Sequence, residues 1–202
     1  MIDVVEITAL QHQTVADWHR KSVQNPYEGF AWLVCEQHMR NYYLWHQEDI
    51  ARSPDVTDRE IADVKRKIDS LNQQRNDHIE KLDAAIIEML GEQNVQPVEG
   101  ATLNTETPGS AIDRLSIMAL RMYHMEEQMN REDASKEHRR KAADRLQRCI
   151  EQHRDLSTSL DELLMDLFAG RKFLKVYHQF KMYNDPTMNP YLYAGEAARK
   201  IA

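Results

Sequence analysis

The chain has 202 residues, 42% hydrophobic and 29% charged with both signs mixed, the balance of one folded domain rather than a disordered segment. Its net charge of −7 argues against a nucleic-acid backbone as principal partner, because that partner requires a basic face. No stretch approaches the roughly 20 apolar residues that cross a bilayer.

The opening "MIDVVEITAL" lacks the basic start and apolar run of a secretory leader. Cys35 and Cys149 stand far apart, without metal or redox spacing. Both features predict a reducing, cytoplasmic setting with free thiols.

Taken in order, helical periodicity dominates. A first helix runs from about Val4 to Arg20, and Asn25-Pro26 breaks it. A second ends near Arg52, before Ser53-Pro54. Thr57-Asp58-Arg59-Glu60 is a capping box, opening a third helix to about Leu90 whose apolar pattern is interrupted around Gln74 to Asp77. Gly91 ends it. Residues 91–109 form a loop longer than most connections, a candidate lid or crossover. Ser110 caps a fourth helix to about Arg131, Ser135 starts a fifth to about Phe168, and a short sixth covers Lys172 to Lys181. Residues 182–202 are irregular, with Pro186 and Pro190 stiffening a segment expected to fold back over the bundle. The predicted fold is all-α: a single-domain bundle of four long helices plus shorter N- and C-terminal helices.

Polar residues fall on or beside the apolar stripes. His46 and Asp49 share a face of the second helix, with Trp45 beside them. Asn72, Asn76, Glu80 and Asp83 form a stripe on the third, as do Asp113, His124 and Glu127 on the fourth and Gln152, Asp155 and Ser159 on the fifth. A buried carboxylate costs several kcal/mol unless paired or bound, so convergence of these stripes would make a site. Asp49, Glu80 and Asp83 could supply the oxygen ligands of Mg²⁺ or another divalent cation. His46 and His124 would act as acid or base, since imidazole titrates near neutrality. Arg75, Asn76 and Arg114, with Tyr183 and Asn184 from the closing segment, would hold a small anionic substrate. Glu80-Lys-Leu-Asp83 resembles one half of the paired acidic motif of MazG-like nucleoside triphosphate pyrophosphatases, although the other half is missing after Glu48. These expectations describe a metal-assisted hydrolase of a phosphorylated or nucleotide-sugar-like substrate. The alternative is a non-catalytic helical interaction protein, acting as a homodimer or in a hetero-complex, with the polar stripes as specificity devices.

Four ordered blocks, "LWHQEDIARSP", "VKRKIDSLNQQRNDHIEKLD", "TETPGSAIDRLSIMALRMYHMEE" and "VYHQFKMYNDPTMNP", resemble the DUF4254 family. The resemblance implies a single-domain bacterial protein of unassigned function. It carries over no catalytic residue, but its blocks contain the stripes of the second, third and fourth helices named above and the closing segment.

Overall fold

The computed structural model describes residues 2–177, 182 and 185–193. Five long helices carry the fold: α1 (Val4–Trp18), α2 (Gly29–Ala51), α3 (Asp58–Glu92), α4 (Pro108–Asn130) and α5 (Lys136–Phe168). Two two-residue strands, β1 (Thr102–Leu103) and β2 (Lys172–Phe173), and a one-turn helix α6 (Pro190–Tyr193) complete the described residues. The all-α bundle is as the periodicity predicts. No described helix is long and apolar enough to cross a membrane.

Local chemistry explains most boundaries. Asp3 accepts from Val5 N–H at 2.7 Å and caps α1. Thr57 and Glu60 form the reciprocal capping box that starts α3. The Ser135 hydroxyl accepts from His138 N–H at 3.1 Å and starts α5. The fourth helix starts earlier than Ser110. Thr107 is its cap, accepting from Ser110 N–H at 3.2 Å, and Pro108 occupies the first turn, where its missing N–H costs nothing.

α3 runs, as expected, through the lapse in its apolar pattern at Gln74–Asp77, where the polar residues pair along the helix: Gln73 donates to Asp77 at 2.7 Å and Gln74 to Ser70 at 3.2 Å. Two expectations are corrected. The sixth helix does not form over residues 172–177; Lys172–Phe173 pairs in parallel with Thr102–Leu103 instead, and residues 178–181 lie outside the described residues. The 91–109 connection is strapped down. Val98 N–H donates to Gly170 O at 3.0 Å, Thr102 N–H to Arg171 O at 3.2 Å and Asn104 N–H to Phe173 O at 3.0 Å. Gly170 has a φ of +71°, and a side chain there would strike the Gln96 carbonyl, so glycine is required for this contact.

α2 and α3 pack as one hairpin, and α4 and α5 as another. α1 lies against α2, α4 and α5. Its stripe Val4, Ile7, Leu10, Val15 and Trp18 enters a core shared with Val34, Cys35, Leu82, Ile86, Ile112, Leu115, Leu120, Leu160 and Leu164. Burying each such large side chain contributes about 1.5–3 kcal/mol. A smaller cluster of Leu44, Val64 and Ile68 extends the α2–α3 hairpin. Asp185 to Tyr193 place no buried side chain on the bundle. There Asp185 accepts from Thr187 N–H at 2.7 Å and from its hydroxyl at 2.6 Å, ordinary turn chemistry.

Candidate functional site

The centre of the α2–α4 contact is polar. Gln37 and Asn41, one turn apart on α2, face Asp113 and Ser116, one turn apart on α4. Asp113 is only 3% exposed, and a buried carboxylate must be paired. Its Oδ1 accepts from Gln37 Nε2 at 2.5 Å, Asn41 Nδ2 at 2.9 Å and Arg75 Nε at 2.7 Å, while its Oδ2 accepts from Arg75 Nη2. Asn41 also donates to Ser116 Oγ at 2.8 Å, and His38 Nδ1 lies 2.7 Å from the same oxygen. Three helices are therefore joined through one carboxylate.

Arg75 uses Nε and Nη2 on Asp113. Its Nη1 makes no hydrogen bond among the described residues, yet the side chain lines a cleft of about 370 Å³ between α2, α3 and α4. Asn41, Trp45, Glu48, Asp49, Arg52 and Asn72 complete its polar and aromatic wall. Among the described residues Arg52 pairs only with Glu48, one turn before it, both well exposed. Such a pair contributes about 0–1 kcal/mol, so a ligand can displace it at little cost.

Trp45 closes the cleft on one side. Its ring stacks on His124 with centroids 4.6 Å apart and planes 10° apart. Behind it, His46 and His124 lie 6.0 Å apart, and His19 from the end of α1 lies 5.2 Å from His46 and 5.0 Å from His124. Burial pulls His46 below the usual histidine value; His19 and His124 reinforce this, and Asp49 and Glu127 oppose it.

The expected residues thus separate. Asp49 and Arg75 share the cleft. His46 and His124 come together, but behind Trp45 rather than in the cleft lining. Arg114 is exposed on another face, donating to Glu106 at 2.7 and 3.0 Å, beside a groove of about 610 Å³ that also holds Gln152, Asp155 and Ser159. Asn76 is half-buried beside Arg75 and is not among the residues lining the cleft. Tyr183 and Asn184 lie outside the described residues.

The three expected cation ligands are placed apart, with only Asp49 lining the cleft. Asp83 lies about three turns beyond Asn72, roughly 16 Å along α3, and its Oδ1 accepts from Gly109 N–H at 2.7 Å. It serves the start of α4. Burial raises its pKa, against hydrogen bonds from Thr107 and Gly109. Glu80 adds its charge to Asp83 and does not line the cleft with Asp49. Among the described residues no three His, Cys, Asp or Glu side chains group to hold a metal ion. Sequence reasoning also missed Gln37, His38, Asn41 and His19. The signal for Gln37 and Asn41 was available, since their i, i+4 spacing on α2 puts them on one helix face, as the i, i+3 spacing does Asp113 and Ser116 on α4.

A third cavity, about 520 Å³ near the starts of α1 and α2, is lined by Ile7, Leu10, Tyr27, Phe30 and Val34 among others. It lacks a comparable convergence of polar groups, and its Asp3 is engaged in capping α1.

Residues 31–176, most of the chain and all of the cleft, match the family described as protein of unknown function (DUF4254). The chain belongs to the DUF4254 family. Comparison with curated proteins and with solved structures gives no match. In this DUF4254 protein the matched region contains α3 to α5 and all but the first two residues of α2, so the Asp113 network and the cleft are both framed within it. His19, on the end of α1, lies outside it.

Proposed function

We propose that this protein binds a small molecule in the α2–α3–α4 cleft, and that the ligand is sugar-like and carries an anionic group, such as a sugar phosphate or part of a nucleotide sugar. The observation that carries this reading is Arg75. A guanidinium clamped from beneath by buried Asp113 keeps one edge for an anion, and the clamp holds that edge still. Around it, Asn72 offers an amide, Glu48 and Asp49 accept hydroxyl protons, and Trp45 offers the apolar body on which a sugar ring packs. A volume of about 370 Å³ is at the small end of ligand sites, roughly 300–1,000 Å³. That favours a sugar phosphate, or the sugar end of a larger molecule, over a whole nucleotide sugar. With His46 and His124 behind Trp45, the cleft residues support binding rather than hydrolysis.

Thermal shift tests the reading, because a ligand that binds only the folded state raises the melting temperature, by about 2.7 kcal/mol of stability at 100-fold excess over Kd. A sugar phosphate or nucleotide sugar is expected to raise it, the matching neutral sugar to raise it less, and Arg52→Ala and Asn72→Ala to diminish both shifts. Were no such compound to move the melting temperature, or were the two variants to respond like the parent, the cleft reading would fail.

A further inference from the structure

Where α1 ends, three imidazoles from three helices meet inside a shell of aromatic rings. Tyr42 lies edge-on to His19 at 5.1 Å and to His46 at 4.5 Å. Tyr123 stacks on His19 at 4.2 Å, and Trp45 covers His124. Two of the tautomers are set by their partners. His19 Nδ1 is 2.7 Å from the Val15 carbonyl, which can only accept, so Nδ1 carries the proton. His124 Nδ1 is 2.7 Å from Glu127 Oε2 and donates for the same reason. With Nδ1 protonated, Nε2 of each neutral ring is a bare acceptor. The Nε2 atoms of His19, His46 and His124 are all buried, and none has a hydrogen-bond partner among the described residues.

Buried ring nitrogens without a hydrogen-bond partner are unfavourable, and three gathered together share one simple remedy. A proton from water adds to one Nε2 lone pair and turns that acceptor into a donor. The resulting imidazolium opposes a second protonation at its neighbours, since like charges at this spacing repel. The charged groups around the cluster are Arg20 from α1, Asp49 from α2, and Glu126 and Glu127 from α4, with Tyr42, Tyr43 and Tyr123 as titratable walls.

We propose that His19, His46 and His124 form a proton-sensing junction between α1, α2 and α4, read out at the cleft through the Trp45–His124 stack. A positive charge on His46, 6.0 Å from the His124 ring, acts electrostatically on that ring and so on its stack with Trp45. The link from junction to ligand rests on the cleft reading; the junction itself does not.

The experiment is a pH titration of the ligand-free full chain, following indole N–H and imidazole C–H resonances by NMR across about pH 5 to 8. Trp45→Phe identifies the Trp45 signal and His46→Gln the His46 signal. The Trp45 resonance is expected to move with the same midpoint as His46, below the usual histidine range, and to stop moving in His46→Gln. A Trp45 signal that stays still while His46 titrates, or that moves unchanged in His46→Gln, overturns the junction. Should His46→Gln not fold, the comparison of midpoints in the parent protein decides alone. A sugar phosphate that shifts the melting temperature equally at both ends of the pH window would remove the link to the cleft while leaving the titration standing. Failure of every ligand would remove the cleft reading and leave the junction untouched.

Discussion

Gly109 donates its N–H to Asp83 Oδ1 at 2.7 Å, and a Cβ on Gly109 would lie 2.8 Å from that oxygen and 2.6 Å from the Ile79 carbonyl oxygen. α3 and the first turn of α4 therefore approach as closely as backbone allows. Gly109→Ala must push them apart. It is expected to cost about 1–3 kcal/mol, the usual penalty for overpacking, measured as a lower denaturant midpoint with an unchanged slope.

Asp83 itself needs its acceptor more than its charge. Burial raises its pKa, so the folded state takes up a proton more readily than the unfolded one. The stability this contributes is present at low pH and lost as pH rises through the folded value. Asp83→Asn keeps an acceptor without a charge and is expected to change stability by less than about 1 kcal/mol. Asp83→Ala leaves the buried Gly109 N–H unpaired and should cost about 1–3 kcal/mol. Urea melts of both variants at neutral pH check the order.

The Arg75–Asp113 pair should behave as a unit. Removing one partner leaves the other charge half-buried or buried, so Arg75→Met or Asp113→Leu alone is expected to cost about 3–5 kcal/mol. The double variant should cost less than the sum of the two, with a coupling of about 0.5–3 kcal/mol. A double-mutant cycle by chemical denaturation measures it, and purely additive losses would show that the pair is not coupled.

Acid should loosen the α1–α5 contact. His12 and His153 lie with Nε2 atoms 3.3 Å apart, so one ring donates and the other accepts while both are neutral. Burial, helped by His12, lowers His153 to about 4, and burial lowers His12. Burial also lowers His38 to about 3. Each folded value lies below the unfolded 6.5, so the unfolded chain binds protons first. Their stabilising contribution is present above about 6.5 and is lost as pH falls toward the folded values. The melting temperature is expected to fall over that window, with a shallower slope in His153→Gln, followed by circular dichroism.

Thiol chemistry should divide the two cysteines. Cys35 is fully buried, and burial pushes its thiol to about 12, while Cys149 is half-buried on α5. Since the thiolate is the reactive form, Cys149 is expected to react with a thiol reagent under native conditions, and Cys35 only on unfolding. Mass spectrometry after timed alkylation distinguishes them; fast labelling of Cys35 would contradict its burial.

How much of this was legible beforehand varies by residue. The Thr57–Glu60 capping box and the α1 stripe needed only local spacing, because both act within one or two turns of a single helix. The same spacing put Asp49, Asn72, Glu80, Asp83 and Asp113 on inward or flanking faces. It could not say which of them meet.

Amino-acid order by itself determined the five long helices, the Thr57 and Ser135 caps and the azimuth of each polar stripe, since a 3.6-residue repeat specifies direction around an axis. It leaves height along the axis open, because sliding one helix by a turn preserves every stripe. Only the tertiary structure decided that Asp113 lies level with Arg75 and Asp83 level with Gly109. The close backbone approach at Gly109 and the need to pair one buried carboxylate set that register.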